Sequence, residues 1–172
     1  MPQQQPPIRI AGVVRDSIVD GPGLRLTLFV QGCPHHCPGC HNPQTHDPAG
    51  GSLCPPSRIL EELDKNPLLA GLTLSGGEPV EQAEALLPLA RAVAARGKNL
   101  CLYSGYTFEQ LCKMQEQRPA LAQLLSLCWL LMDGPYIAAQ RDLSRPYVGS
   151  RNQRVLDLPA SLAAGRAVPA AL

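Results

Sequence analysis

The sequence has almost no net charge. Fifteen lysine and arginine residues stand against fourteen aspartate and glutamate residues, so the formal net charge is +1 at pH 7. A nucleic acid is held by a concentration of positive charge that releases its counterions. The near-neutral balance therefore argues against a nucleic acid as a partner.

A long hydrophobic run is missing as well. The longest apolar stretch, 119–132, covers about 14 residues and is interrupted by Gln123 and Ser126, whereas a membrane-spanning helix needs about 20. We interpret this stretch as a buried helix that leads into a strand. Residues 1–7 are polar and rich in proline, without the basic and apolar regions of a secretory signal. These features predict a cytoplasmic protein.

The length and composition predict one folded domain. A chain of 172 residues has room for a single core, and 45% hydrophobic with 17% charged residues is typical of a globular protein. We expect residues 1–7 to be disordered and residues 8–158 to form the domain. The alanine-rich tail, 159–172, is expected to be weakly ordered.

Extended and helical patterns alternate along the chain. The predicted strands are 8–14, 24–30, 71–75, 99–103, 128–132 and 154–158, and the predicted helices are 57–64, 79–96, 107–112 and 121–127. We expect Ser57 and Thr107 to cap their helices and the first two strands to pair directly. The alternation predicts an α/β fold with a mostly parallel sheet, either open or curved like a partial (β/α) barrel.

Four chemically unusual segments follow the ends of predicted strands. They are the cysteine-rich loop after Val30, then 76–79, 104–105 and 133–134. In α/β folds the carboxyl ends of parallel strands lie at one edge of the sheet, where ligands bind. We therefore expect these segments to meet at one pocket.

The seven cysteines are unevenly distributed. Cys33, Cys37 and Cys40 form the spacing C-x3-C-x2-C, which lets one loop fold its thiolates around a single centre. An odd cysteine number with this crowding argues for reduced thiols in metal or redox chemistry rather than a secreted disulfide framework. A closed zinc site or a fully ligated cluster needs four protein donors. Three thiolates on a four-iron cluster would leave one iron open to an outside ligand.

Zinc remains an alternative at this point. A fourth ligand from His41, His46 or Cys54 would complete a tetrahedral zinc site. We interpret most of the remaining cysteines, Cys101, Cys112 and Cys128, as small core residues.

Taken together, the motifs resemble the radical S-adenosylmethionine (SAM) superfamily. The resemblance rests on the cysteine triplet after an early strand and on Gly76-Gly77-Glu78-Pro79 after the next parallel strand. Finer motifs at 20–23, 103–107, 133–135 and 149–154 resemble the branch that activates anaerobic ribonucleotide reductase, and the match runs over 20–155. Gly39 stands where the superfamily usually has an aromatic residue; this branch has glycine there and an aromatic residue after the cysteine, where this chain has His41.

The resemblance implies a radical SAM domain with one [4Fe-4S] cluster held by Cys33, Cys37 and Cys40, and SAM on the open iron. It implies a SAM-binding set of Gly39, Cys40, His41, Ser75, Gly76, Gly77, Glu78 and Ser104. Glu78 could accept a hydrogen bond from the SAM ammonium group, or it could simply be the acidic first residue of a helix. Ser75 and Ser104 could equally have turn or capping roles.

The implied activity is reductive cleavage of SAM and formation of the glycyl radical on anaerobic ribonucleoside-triphosphate reductase. No catalytic residue beyond the cluster and SAM is expected. The implied partners are the reductase, contacted by Asp20, Tyr106 and Arg151, and a low-potential electron donor such as flavodoxin or ferredoxin; no membrane is involved. The alternatives are an activator of another glycyl-radical enzyme, of the pyruvate formate-lyase type, and a zinc-stabilised binding module.

Overall fold

The structure is a computed structural model that describes residues 4–172. Of the segment 1–7, for which disorder is expected, residues 1–3 lie outside the described part. Residues 4–7 are exposed and belong to no helix or strand.

One seven-stranded sheet organises the chain. Its strands are β1 Ile8–Ser17, β2 Arg25–Val30, β3 Ser52–Cys54, β4 Gly71–Gly76, β5 Asn99–Ser104, β6 Leu130–Asp133 and β7 Arg154–Asp157. Their order is β3-β1-β2-β4-β5-β6-β7. The four central strands, β2, β4, β5 and β6, are parallel, whereas β1, β3 and β7 run antiparallel to their neighbours. The α/β class and the direct pairing of β1 with β2 are confirmed, and the parallel arrangement is confined to the centre of the sheet.

Five α-helices accompany the sheet in the described residues. They are α1 Pro56–Asp64, α2 Ala83–Ala95, α3 Phe108–Met114, α4 Pro119–Leu127 and α5 Leu158–Ala164. Short 3-10 turns cover Pro43–Thr45, Pro79–Gln82, Gln115–Gln117 and Ala138–Gln140. Within residues 4–172, no helix is long and apolar enough to cross a membrane.

Alternation along the central strands separates two faces of the sheet. Leu26, Leu28, Leu72, Leu74, Leu100 and Leu102 are fully or almost fully buried and pack in one cluster with residues of the helices. The intervening residues point to the opposite face, because successive strand side chains alternate. That second face carries Arg25, Thr27, Thr73 and Cys101, all at zero exposure. The sheet therefore has an apolar face under the helices and a more polar face.

Three helix starts differ from the predicted ones. Helix α4 begins at Pro119, two residues before the predicted start. Helix α1 begins at Pro56 after Pro55, so Ser57 is not its cap; the fixed φ of proline suits the first helical position. The predicted helix over 79–96 is divided into the 3-10 turn Pro79–Gln82 and α2. The cap at Thr107 is confirmed, since Thr107 and Gln110 form a reciprocal capping box.

The segment after β7 is more ordered than expected for 159–172. The Asp157 carboxylate caps α5 by accepting from the backbone N–H of Ala160 at 2.9 Å. The chain then returns, and the Ala170 N–H donates to the Val155 carbonyl at 3.0 Å. An N-cap followed by proline and alanines is a strong helix signal, which explains the difference.

Candidate functional site

The loops at the carboxyl ends of the parallel strands surround one open cavity of about 490 Å³. Among the residues expected to be functional, its walls include Asp20, Cys33, Cys37, Cys40, His41, Ser75, Gly76, Gly77 and Ser104. Gly39, Glu78, Tyr106 and Arg151 do not line it. Segments that are far apart in the sequence thus meet at the carboxyl ends of the parallel strands, as expected.

Backbone hydrogen bonds fold the cysteine loop back on itself. The Gly32 N–H donates to the Thr45 carbonyl at 2.7 Å, and the Cys33 N–H donates to the His46 carbonyl at 3.1 Å. A tighter turn joins the other two thiols, because the Cys40 N–H donates to the Cys37 carbonyl at 3.0 Å. The loop therefore has a defined path that brings its three cysteines to the same cavity.

The three thiols of this loop are free and partly exposed. Burial raises the pKa of the Cys33 thiol, while the backbone N–H groups of His35 and His36 oppose that rise. The Asn42 N–H donates to the Cys40 sulfur at 3.4 Å. Donors placed on sulfur in this way stabilise the thiolate form that binds metals.

Three cysteines are, by number and type, the donor set of a four-iron cluster with one open iron. Within residues 4–172, no three His, Cys, Asp or Glu side chains are gathered closely enough to hold a single metal ion. Three cysteines face a cavity that is much larger than a single ion, and Cys54, a candidate fourth ligand for zinc, does not line it. Cys54 is a buried residue of β3, where its thiol donates to the Pro55 carbonyl at 3.6 Å. His41 and His46 do line the cavity.

Glycines bring the loop after β4 against the cysteine loop. Gly76 has a φ of +92°, and a Cβ atom there would lie 2.6 Å from the Val30 nitrogen. The Gly77 N–H donates to the Val30 carbonyl at 2.8 Å, and the Glu78 N–H donates to the Gly32 carbonyl at 2.8 Å. Gly76 is therefore needed where β4 pairs closely with β2, and Gly77 is needed where the chain then packs against the cysteine loop, in addition to any approach to a ligand.

Glu78 is completely buried, and both oxygens of its carboxylate are occupied. Oε1 accepts from the Ser104 hydroxyl at 3.0 Å and from the Val80 N–H at 3.1 Å. Oε2 accepts from the Gly105 N–H at 2.8 Å and lies 2.7 Å from His35 Nε2. The bond to Val80 agrees with the helix-start role that the sequence left open, and the expected bond to the SAM ammonium group stays a prediction.

Ser104 and Gly39 have structural contacts of their own. The Ser104 hydroxyl donates to Glu78 and accepts from the Tyr106 N–H at 3.1 Å, so it has the turn role that was the alternative. Gly39 has a φ of +76°, and a Cβ there would meet Ala138 and Tyr136 at ordinary contact distances. Its backbone conformation, rather than space, favours glycine.

The residues expected to contact a partner occupy three different environments. Asp20 lies in the cavity wall, and its Oδ2 accepts from the hydroxyl groups of Ser17 at 2.5 Å and Thr27 at 3.0 Å. The Tyr106 hydroxyl donates to Glu81 at 2.6 Å. Arg151 is exposed at the surface. Of the three, Arg151 is exposed, whereas Asp20 and Tyr106 are partly buried.

The segment 134–153 contributes cavity residues that sequence reasoning missed. Tyr136 packs against His41 with ring centroids 4.8 Å apart, and Leu143, Tyr147 and Gln153 also line the cavity. Tyr147 is held there because its carbonyl accepts from the Tyr103 hydroxyl at 2.6 Å. Gln153 lies in the 149–154 motif, whereas the only sequence signal for the other three was their position after the 133–135 turn, since the segment has no helical or strand period.

Comparison with known proteins agrees with this geometry. The profile of the family described as "4Fe-4S single cluster domain" matches residues 19–156, which include all three cysteines of the loop. This match places the chain in a class of proteins that carry one [4Fe-4S] cluster, and it favours the cluster over zinc.

Individual relatives narrow the class. Anaerobic ribonucleoside-triphosphate reductase-activating proteins are 35% identical in Escherichia coli strain K12, over 80% of this chain and 91% of theirs, and 36% identical in Vibrio cholerae, over 79% and 89%. That of phage T4 is 34% identical over 80% of this chain and 86% of its own. The chain belongs to the family of anaerobic ribonucleoside-triphosphate reductase-activating proteins, and the family expected from the motifs is confirmed. Among solved structures, QueE from Escherichia coli is similar with a TM-score of 0.46 and 18% identity, over 61% of this chain and 54% of its own.

Proposed function

We propose that this protein is a radical SAM activase: it cleaves SAM reductively at a [4Fe-4S] cluster and generates the glycyl radical on anaerobic ribonucleoside-triphosphate reductase. The observation that carries the proposal is the meeting of Cys33, Cys37 and Cys40 with the glycine pair after β4 at one cavity. The relatives with up to 36% identity are named as activators of that reductase, which favours it over pyruvate formate-lyase. When bound, the cluster supplies one low-potential electron to the SAM sulfonium.

The chain itself supplies ligands, shape and exclusion of water. Cys33, Cys37 and Cys40 would hold the cluster, and the backbone around Gly76 and Gly77 would receive the methionyl part of SAM. Further SAM contacts are proposed for Gly39, Cys40, His41, Ser75 and Ser104, of which all but Gly39 line the cavity. No acid or base from the protein is needed, because the cofactor carries the chemistry.

Exposed apolar side chains at the mouth of the cavity favour a protein as the substrate. Val19 and Leu143 line the cavity and are nevertheless 68% and 61% exposed. Apolar side chains at an opening favour contact with a partner's chain over a small polar metabolite. Asp20, Tyr106 and Arg151 are proposed contacts to the reductase, with Arg151 as the most accessible of them.

We extend the proposal to the electron donor, the cellular location and the domain. A second cavity of about 460 Å³ also has Cys33 in its wall, together with His36 and His46. This second opening supports delivery of electrons by a separate protein, for which we propose a flavodoxin or ferredoxin in the cytoplasm. We also propose that residues 8–158 fold as one domain whose sheet curves into a partial (β/α) barrel.

Anaerobic reconstitution with iron and sulfide tests the proposal. The wild-type protein is expected to bind four irons per chain, to absorb visible light, and to form 5′-deoxyadenosine from SAM with dithionite. Cys37→Ala is expected to lose both cluster and product, while Cys54→Ala keeps both. Mixing with the reductase should produce a glycyl radical signal by electron paramagnetic resonance.

Three results would contradict the proposal. Full iron content and product formation in Cys37→Ala would remove this loop as the cluster site. A single tetrahedral zinc ion in place of the cluster would favour a binding module. A radical on pyruvate formate-lyase but none on the reductase would change the partner.

A further inference from the structure

The buried carboxylate of Glu78 joins three separate segments. It accepts from Ser104 and Gly105 at the end of β5, from Val80 in its own turn, and it contacts His35 in the cysteine loop. A carboxylate is an acceptor-only group with room for about four hydrogen bonds. The Glu78 carboxylate is therefore saturated by the protein, and it reaches the cysteine loop through His35.

The His35 side chain is held in place by contacts with Glu78, Tyr106 and Gly105. Its side chain is 16% exposed, and its Nε2 lies 2.7 Å from Glu78 Oε2. The ring of Tyr106 meets it edge-on, with centroids 4.5 Å apart. A Cβ atom at Gly105 would lie 2.5 Å from His35 Cδ2, so Gly105 allows the ring to approach. These contacts fix the His35 ring and thereby restrict the conformation of the backbone before and after it.

Because of its position in the chain, a fixed His35 also fixes the backbone between two of the cysteines. It lies between Cys33 and Cys37, the first two cysteines of the loop. The neighbouring His36 has no such anchor; its ring packs on His46 with centroids 5.0 Å apart. We propose that Glu78 and His35 form a clamp that holds the Cys33–Cys37 turn in cluster-binding geometry, so that Glu78 is a positioning residue rather than a ligand of SAM.

The clamp also places a negative charge beside the cysteine loop. The Glu78 N–H donates to the carbonyl group of Gly32, the residue before Cys33, at 2.8 Å, so the glutamate is fixed beside the first cysteine of the loop. A negative charge near a cluster disfavours the addition of an electron to that cluster. Glu78 would thus lower the reduction potential of a bound cluster, and a hydrogen bond donated by His35 would partly offset that effect. This consequence rests on the proposed function, whereas the clamp itself does not.

Potentiometric titration of the reconstituted protein separates the clamp from a general structural role. Glu78→Gln removes the charge, and we expect the one-electron reduction equilibrium to shift about tenfold toward the reduced cluster, which is about +59 mV. His35→Asn is too short to reach the carboxylate, leaves its charge less compensated, and shifts the potential in the opposite direction. His35→Gln places an amide N–H near the original Nε2 and moves the potential back toward the wild-type value.

Hydrogen exchange on the full-length protein without iron tests the clamp independently of any cluster. Glu78→Gln and His35→Asn are expected to speed exchange of the backbone amides in 33–40 about tenfold, since each removes a buried hydrogen bond. His36→Asn and Glu84→Gln are the matched controls, on the neighbouring histidine and on an exposed glutamate of α2, and they leave that exchange unchanged.

The outcomes are distinct. Unchanged exchange in both clamp variants would overturn the clamp. Shifts of the potential in the same direction for Glu78→Gln and His35→Asn would show that loosening alone explains them and would overturn the charge effect. Failure of the wild-type protein to assemble any cluster would count against the proposed function. The hydrogen-exchange result would then still show whether the clamp exists.

Discussion

Gly77 lies directly against the carbonyl group of Gly32. A Cβ atom at Gly77 would be 2.3 Å from the Gly32 oxygen and 2.9 Å from its carbon. Both partners are backbone atoms, so neither can move aside as a flexible side chain could. The glycine after β4 and the first residue of the cysteine loop therefore depend on each other for position.

A methyl group at Gly77 is expected to displace the cysteine loop. Gly77→Ala should lower the free energy of unfolding by about 3 kcal/mol, the upper range for overpacking, and reduce iron binding together with SAM binding. Urea denaturation and iron content after reconstitution measure the two effects. Gly12→Ala is the control, because nothing lies within 4 Å of a Cβ built at Gly12. A Gly77→Ala protein with normal iron content and weak SAM affinity would show that the glycine serves the ligand alone.

Arg154 is expected to stabilise the fold rather than to contact a partner. Its guanidinium bonds to both oxygens of Asp133, at 3.0 and 2.5 Å, and Asp133 is only 1% exposed. Arg154→Gln leaves that carboxylate buried without its cation, and the free energy of unfolding should fall by about 2 kcal/mol, less than for a fully buried pair because the arginine is partly exposed.

Arg151→Gln provides the contrast, since Arg151 is exposed and close in sequence to Arg154. It should leave urea denaturation unchanged while weakening activation of the reductase. Equal stability losses in the two variants would mean that Arg151 is also part of the fold. An Arg154→Gln protein as stable as the wild type would refute the importance of the Asp133 pair.

Cys101 is expected to make stability fall at alkaline pH. Burial raises the pKa of its thiol from the ordinary value of 9.0 to about 11. At a pH between the two pKa values, the Cys101 thiol has lost its proton in the unfolded chain but keeps it in the folded chain. The free energy of unfolding therefore falls by about 2 kcal/mol as the pH rises through this range. Urea denaturation at about pH 8 and about pH 11 should show this loss in the wild type and a smaller one in Cys101→Ala. Identical pH dependence in the two proteins would contradict the prediction.

The buried Arg25 is expected to be irreplaceable by lysine. Its guanidinium donates to oxygen atoms of Pro22, Leu72, Thr73 and Asn99 at 2.7–3.3 Å. A lysine ammonium is a single point with three donors and cannot reach all of these oxygens, each of which costs about 1–3 kcal/mol if left unpaired. Arg25→Lys should lower the free energy of unfolding by about 3 kcal/mol, while the same change at the exposed Arg58 should have no effect. A tolerated Arg25→Lys would show that charge alone is required.

The central strands and most helices could be predicted because their patterns are local. Leu26 and Leu28 alternate with polar residues, and Thr107 with Gln110 forms a capping box that depends on four neighbouring residues. The cysteine spacing is local too, so the three thiols at the cavity were within reach of sequence reasoning. The start of α1 was wrong because Ser57 is a good cap by type, but Pro55-Pro56 set the backbone first.

The partners of Glu78 and the walls formed by Tyr136 and Tyr147 could not be read from local patterns. Glu78 meets His35 across 43 positions of the chain, and Tyr103 holds Tyr147 across 44. Such contacts depend on how loops of irregular backbone cross above the sheet, which no periodicity encodes. For the same reason Asp20 was expected at a partner surface and lies in the cavity wall.

Both edge strands of the sheet are short. Strand β3 has only three residues and is followed by Pro55 and Pro56, while β7 is covered by a short return of the chain that pairs Leu156 with Pro169. Because proline has no backbone N–H to donate and a short strand offers few hydrogen-bonding groups, both borders are poor templates for a strand of another chain. The molecule can therefore keep a wide, accessible opening at the top of its sheet without its sides promoting self-association, which suits a protein that must meet a different partner and then leave it.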